Sequence, residues 1–192
     1  MLKLIKSVSI FITITFLAIS CSSSKTEKEP DSKTLKKHTT LSTGEFKTAV
    51  KKACENVDSN TIDSRISVNN VQDITEAISK FGTIEDELDG LISRFERIDP
   101  AKEFDDEWET IIDDLSHIRD LYPEMSDTFS QIESLLVAGQ KYNPNVDMQK
   151  LNDKLTQLQD EADDLLTDLT INTEEIKTIS KKIDITDCIS SS

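Results

Sequence analysis

Apolar residues recur along this chain at alternating steps of three and four, in four long stripes. Val71, Ile74, Ile78, Phe81, Ile84, Leu88, Leu91, Phe95 and Ile98 form the first, which should stop before Pro100. Phe104, Trp108, Ile111, Leu115, Ile118 and Tyr122 form the second, with Pro123 expected to end it. Met125, Phe129, Ile132, Leu136, Gly139 and Tyr142 form the third, closing at Asn143-Pro144. The last runs through Leu151, Leu155, Leu158, Ala162, Leu165, Leu169, Ile176, Ile179 and Ile183, in one heptad frame if Asn172 fills the skipped position. Such steps return side chains to one face of a helix, and a residue before proline is biased away from helical geometry. Asn172, with Glu175 three residues on, is also a candidate cap that would divide the last stripe. The unbroken heptad frame favours a single long helix.

A shorter helix is predicted upstream, over residues 43–57. Ser42 and Glu45 have the spacing of a capping box, and Phe46, Val50, Ala53, Cys54 and Val57 follow at helical intervals. Residues 58–69, rich in Ser, Asn and Asp, read as a loop, with room for a short extended piece around Ile66 and Val68. Connections of two to eight residues between amphipathic helices imply antiparallel neighbours. The expected architecture is therefore all-α: an up-and-down bundle of four to five helices over residues 43–192, behind a disordered N-terminal tether. Four glycines and no sustained alternation speak against a sheet. Phe95, Phe104, Trp108 and Phe129 are expected in the core. The leucine and isoleucine seam of the last helix could bury inside the bundle or pair with a second copy. Burial, and hence a monomer, is expected because the other helices need a surface to cover; a homodimer is the alternative.

The beginning of the chain follows a different rule. Lys3 and Lys6 precede an apolar run from Val8 to Leu17, followed by Ala18-Ile19-Ser20 and Cys21. A charged start, a short hydrophobic segment and small residues describe a secretory signal, and the run is too short to span a membrane. The segment resembles the signal of bacterial lipoproteins, with Leu17 to Ser20 standing as the lipobox and Cys21 as the lipidated residue. Ile19 and Ser20 depart from the usual Ala or Ser followed by Gly or Ala. The resemblance implies removal of residues 1–20, palmitate-type acylation of Cys21 and a membrane held through that lipid. Ser22 rather than Asp after the cysteine implies the cell outer membrane, rather than the inner one, in an envelope with two membranes, with the protein facing the periplasm or the cell surface. Residues 21–42 then form a lipidated, polar tether that cannot bury enough surface to offset the entropy of ordering.

Charge divides the chain the same way. Overall it carries 22 basic and 37 acidic side chains. Residues 22–52 hold eight lysines against four acids, leaving the remainder strongly negative. A basic segment suits anionic headgroups, whereas the acidic body is repelled by them and by nucleic acid, which is excluded as a partner. With Cys21 given to lipid, Cys54 and Cys188 are the remaining pair in a compartment that permits disulfides. Their bond would join the first helix to the last residues of the chain.

Candidate chemistry is sparse. Glu85, Glu87, Asp89, Gly90, Ile92 and Glu96 fall at ligand, turn and apolar positions of a calcium loop, but Glu replaces the Asp required at its start. The same residues also carry the helical stripe through Ile84, Leu88, Leu91 and Phe95. The doublets Asp105-Asp106, Asp113-Asp114 and Asp163-Asp164 could suggest glycosidase carboxylates or metal ligands, yet neighbours on a helix diverge by about 100°. His117 follows Asp113 and Asp114 at helical spacing, and His38 lies in the tether. A di-iron bundle needs a second carboxylate-x-x-His helix, zinc hydrolysis and Ser-His-Asp catalysis need more histidine, and no spacing supports haem on His117 with Met125 or Met148. No metal site, cofactor or enzyme activity is expected. The expected role is a non-catalytic, membrane-anchored lipoprotein whose acidic bundle binds a basic protein in the cell envelope. The alternatives are a periplasmic inhibitor or immunity-type protein against a basic toxin or hydrolase, and a bundle that senses a small ligand or metal.

Overall fold

A computed structural model describes residues 40–55, 71–140 and 147–186. Of these, 89% are helical, and no strand occurs among them. The chain is an all-α helical bundle. Residues 1–39, which hold the signal segment and most of the tether, the loop over residues 58–69, Val57, Tyr142 and the residues after Thr186 lie outside the described residues.

Helix α1 spans Thr43–Cys54 and begins with the expected capping box. The Ser42 backbone N–H donates to Glu45 Oε2 at 3.0 Å and the Glu45 N–H to Ser42 Oγ at 3.4 Å. Two otherwise orphaned donors are thus satisfied. Phe46, Val50, Ala53 and Cys54 make its buried face. Helix α2 spans Val71–Phe95 and buries Ile74, Phe81, Ile84, Leu88, Leu91 and Phe95. After a 3-10 turn at Lys102–Phe104, α3 spans Asp105–Gln140.

Pro123 was expected to separate two helices, and it does not: it lies inside α3. An internal proline removes one backbone N–H and crowds the carbonyl of the preceding turn, at about 3 kcal/mol. The apolar stripe continues in register on both sides, however, with Ile118, Leu121, Tyr122, Met125, Phe129 and Ile132 all buried. Each such side chain gains about 1.5–3 kcal/mol on burial, which outweighs one proline, and Pro123 itself faces solvent.

Helix α4 spans Met148–Ile183 without a break, as the heptad frame predicts. Asp147 caps it, accepting from the N–H groups of Gln149 and Lys150. Asn172 continues the helix, its Nδ2 donating to the Asp168 carbonyl at 2.7 Å. The helix closes with Asp184 in the left-handed region at φ 59°; the Ile185 N–H returns to the Ser180 carbonyl at 3.0 Å and the Asp184 N–H to Lys181. This is a Schellman ending, sealed by burial of Ile185.

Helix α3 is the central element. α2 runs antiparallel along it, with Phe95 packed on Trp108 (ring centroids 4.7 Å) and, further along, Phe81 on Phe129 (5.2 Å) and Tyr122 (6.0 Å). α4 is antiparallel on another side, from Leu151 beside Gly139 to Lys182 paired with Glu107. α1 closes one pole, where Phe46 meets Trp108 edge to face at 5.1 Å and Arg94 Nε donates to the Ala53 carbonyl at 3.0 Å. Phe95, Trp108 and Phe129 are buried as expected, while Phe104 is only half-buried in the 3-10 turn. The seam of α4 turns inward: Leu155, Leu158, Ala162, Leu169, Ile176 and Ile183 are buried. Among the described residues no helix is long and apolar enough to cross a membrane.

Candidate interaction surface

With its seam buried, α4 presents the opposite face to solvent, and that face is acidic over its middle turns. Between Lys154 and Lys177 the helix carries Asp160, Glu161, Asp163, Asp164, Asp168, Glu174 and Glu175 and no basic residue. All are exposed except Glu161, which is half-buried. Asp160, Asp164, Asp168, Ile171 and Glu175 follow at steps of four, four, three and four, so they share one stripe. Ile171 in that stripe is 57% exposed, the most exposed large hydrophobic residue described. Glu174 alone has a close cation, Lys177 at 2.7 Å, which holds its carboxyl below the usual range.

The negative surface continues onto α3 at the turn carrying Asp113, Asp114 and His117. Asp114 is half-buried, and its Oδ2 is sealed from solvent without a hydrogen-bond partner. Desolvation first, then the charges of Glu175 and Asp113, push its carboxyl up from 3.8 to about 6, against a smaller opposing effect of His117. Further along the same two helices, Asp127, Ser130, Gln131, Ser134, Leu135, Lys154 and Leu158 border an open groove of about 400 Å³.

The other sequence-predicted candidates are not assembled into a reactive site. Glu85, Glu87, Asp89, Gly90 and Ile92 lie on the continuous helix α2, with Glu96 just past its end, so they do not form a calcium loop; Asp89 instead accepts from Arg119 at 3.1 Å. Asp105, Asp106, Asp163 and Asp164 are exposed, as is His117. Met125 is fully buried in the core and Met148 stands exposed at the start of α4. Among the described residues no three His, Cys, Asp or Glu side chains are grouped to hold a metal. Cys54 is buried at the end of α1. Cys21, His38 and Cys188 lie outside the described residues.

Sequence reasoning missed two features here. The environment of Asp114 depends on how α3 and α4 are rotated against each other, which spacing alone does not give. The run of carboxylates on α4 was readable, as a gap between two lysines, but was hidden within an acidic total. No family model, curated protein or solved structure matches the chain.

Proposed function

We propose that this protein is a bacterial envelope lipoprotein, acylated at Cys21, whose helical bundle is a non-catalytic binding module for a basic protein. The observation that carries the reading is the α4 face: seven carboxylates between Asp160 and Glu175, about four and a half turns, of which only Glu174 is paired with a cation, and an exposed isoleucine among them. Such a surface accelerates encounter with a positive partner, and a central apolar residue adds contact area that solvated charges do not supply. The charged start, apolar run and Cys21 support the anchor, and the lysines of residues 22–52 suit an anionic membrane surface.

A Cys54–Cys188 disulfide belongs to the same proposal. Lys47 holds Asp184 at 2.8 Å, and Val50 and Lys51 line a groove together with Ile185 and Thr186. The chain is therefore already laid on α1 two residues before Cys188. Two extended residues reach about 7 Å, comparable to the rise of one helical turn from Val50 to Cys54.

A photo-crosslinking amino acid placed at Asp168 or Ile171, with Ser79 on α2 as the control position, tests the binding role. One basic protein should be captured from both α4 positions and not from Ser79, with a yield that falls as salt rises. Equal capture from Ser79, or unchanged capture after Asp160, Asp164 and Asp168 are all replaced by Asn, would overturn it. Metabolic palmitate labelling that is lost in Cys21→Ala tests the anchor separately.

A further inference from the structure

Asp114 leans into the seam between α3 and α4 with Oδ2 buried and unpartnered. The charged groups that act on it are Glu175 of α4 and, from its own helix, Asp113 and His117. Two are of like sign, and the third, His117, is exposed. Of the lysines that follow on α4, Lys177 is paired with Glu174 and Lys182 with Glu107, and the charge of Lys181 acts on Glu174. A half-buried carboxylate with one oxygen sealed from solvent and two like charges acting on it holds a proton more readily than a solvated one.

We propose that Asp114 is a proton-operated latch in the α3–α4 seam: ionised, it repels Glu175 and loosens this turn; protonated, it loses that repulsion and lets the two helices close. The latch goes beyond the binding role, because it concerns the cohesion of the bundle itself, and Glu175 belongs to both. Its raised carboxyl value fixes the direction. An acid whose folded value lies above its unfolded one binds a proton on folding, so stability rises as pH falls from about 6 toward about 4. Glu45, Glu107, Glu174 and Asp184 act oppositely. Hydrogen bonds lower each of them, so their contribution is lost in stronger acid, as pH falls through their folded values. The bundle is accordingly most stable in mild acid rather than at neutrality.

The test combines thermal unfolding of the purified protein between about pH 7.5 and about pH 4.5 with carboxyl-carbon NMR titration of Asp114. The unfolding midpoint should rise by several degrees on acidification. Asp114→Asn should raise the neutral midpoint and remove the rise, and Glu175→Gln should reduce it. A flat profile in the unmodified protein, or a rise that persists in Asp114→Asn, overturns the latch. If the variant does not fold, the titration still decides: a midpoint well above the ordinary carboxyl range supports the proposal, and an ordinary one overturns it.

Discussion

Phe46 and Trp108 show how much a single side chain contributes at the closed pole. Phe46 lies on the shortest helix, yet it is fully buried between the rings of Trp108 and Phe104 and ties α1 to the central helix. Glycine plays the opposite part on α2. Gly82 is exposed in mid-helix, and a Cβ added there meets nothing within 4 Å. Gly82→Ala should therefore stabilise the protein by about 0.5–1 kcal/mol, measured as a shift in the urea midpoint at unchanged slope. At this scale the sequence was informative about burial and poor about polar environments. The spacing of Ile84, Leu88, Leu91 and Phe95 identified core residues, because burial follows helix phase. Helix phase separates Asp113 from Asp114 by about 100°, but nothing in the spacing said that α4 packs on the flank where Asp114 lies.

Helices were legible to within a few residues wherever a stripe was long and its ends were capped. The Ser42 and Glu45 box places the start of α1, and Asn172 was absorbed into α4 because the heptad frame passes through it. Pro123 was misread for a physical reason: proline is scored locally, whereas the cost of losing one hydrogen bond is met by apolar burial on both sides of it. Replacing it tests that account. Pro123→Ala restores the missing donor at an exposed position, and it should stabilise the protein by about 1–3 kcal/mol, seen in chemical denaturation. A destabilising outcome would mean that packing against α2 or α4 depends on a bend at this turn.

Over the whole molecule, both described ends of the chain lie at the pole closed by α1. Thr43 Oγ1 donates to Glu103 at 2.5 Å near the start, and Lys47 holds Asp184 near the finish. Such closeness favours a long covalent loop. If Cys54 and Cys188 are joined, Cys54→Ser with Cys188→Ser should cost about 2–5 kcal/mol, and reducing agent should lower the unfolding midpoint of the parent but not of the double variant. Net stability of a domain this size is only about 5–15 kcal/mol, so that loss would be plain in calorimetry.

With both ends gathered at one pole, the bundle has a fixed polarity. α4 contains 36 residues, about 54 Å of helix, so its first turn stands that far from the pole where α1 begins. The bundle is a column with both described chain ends at one pole and the start of α4 at the other. Its acidic flank lies along the middle of α4, open to approach from the side.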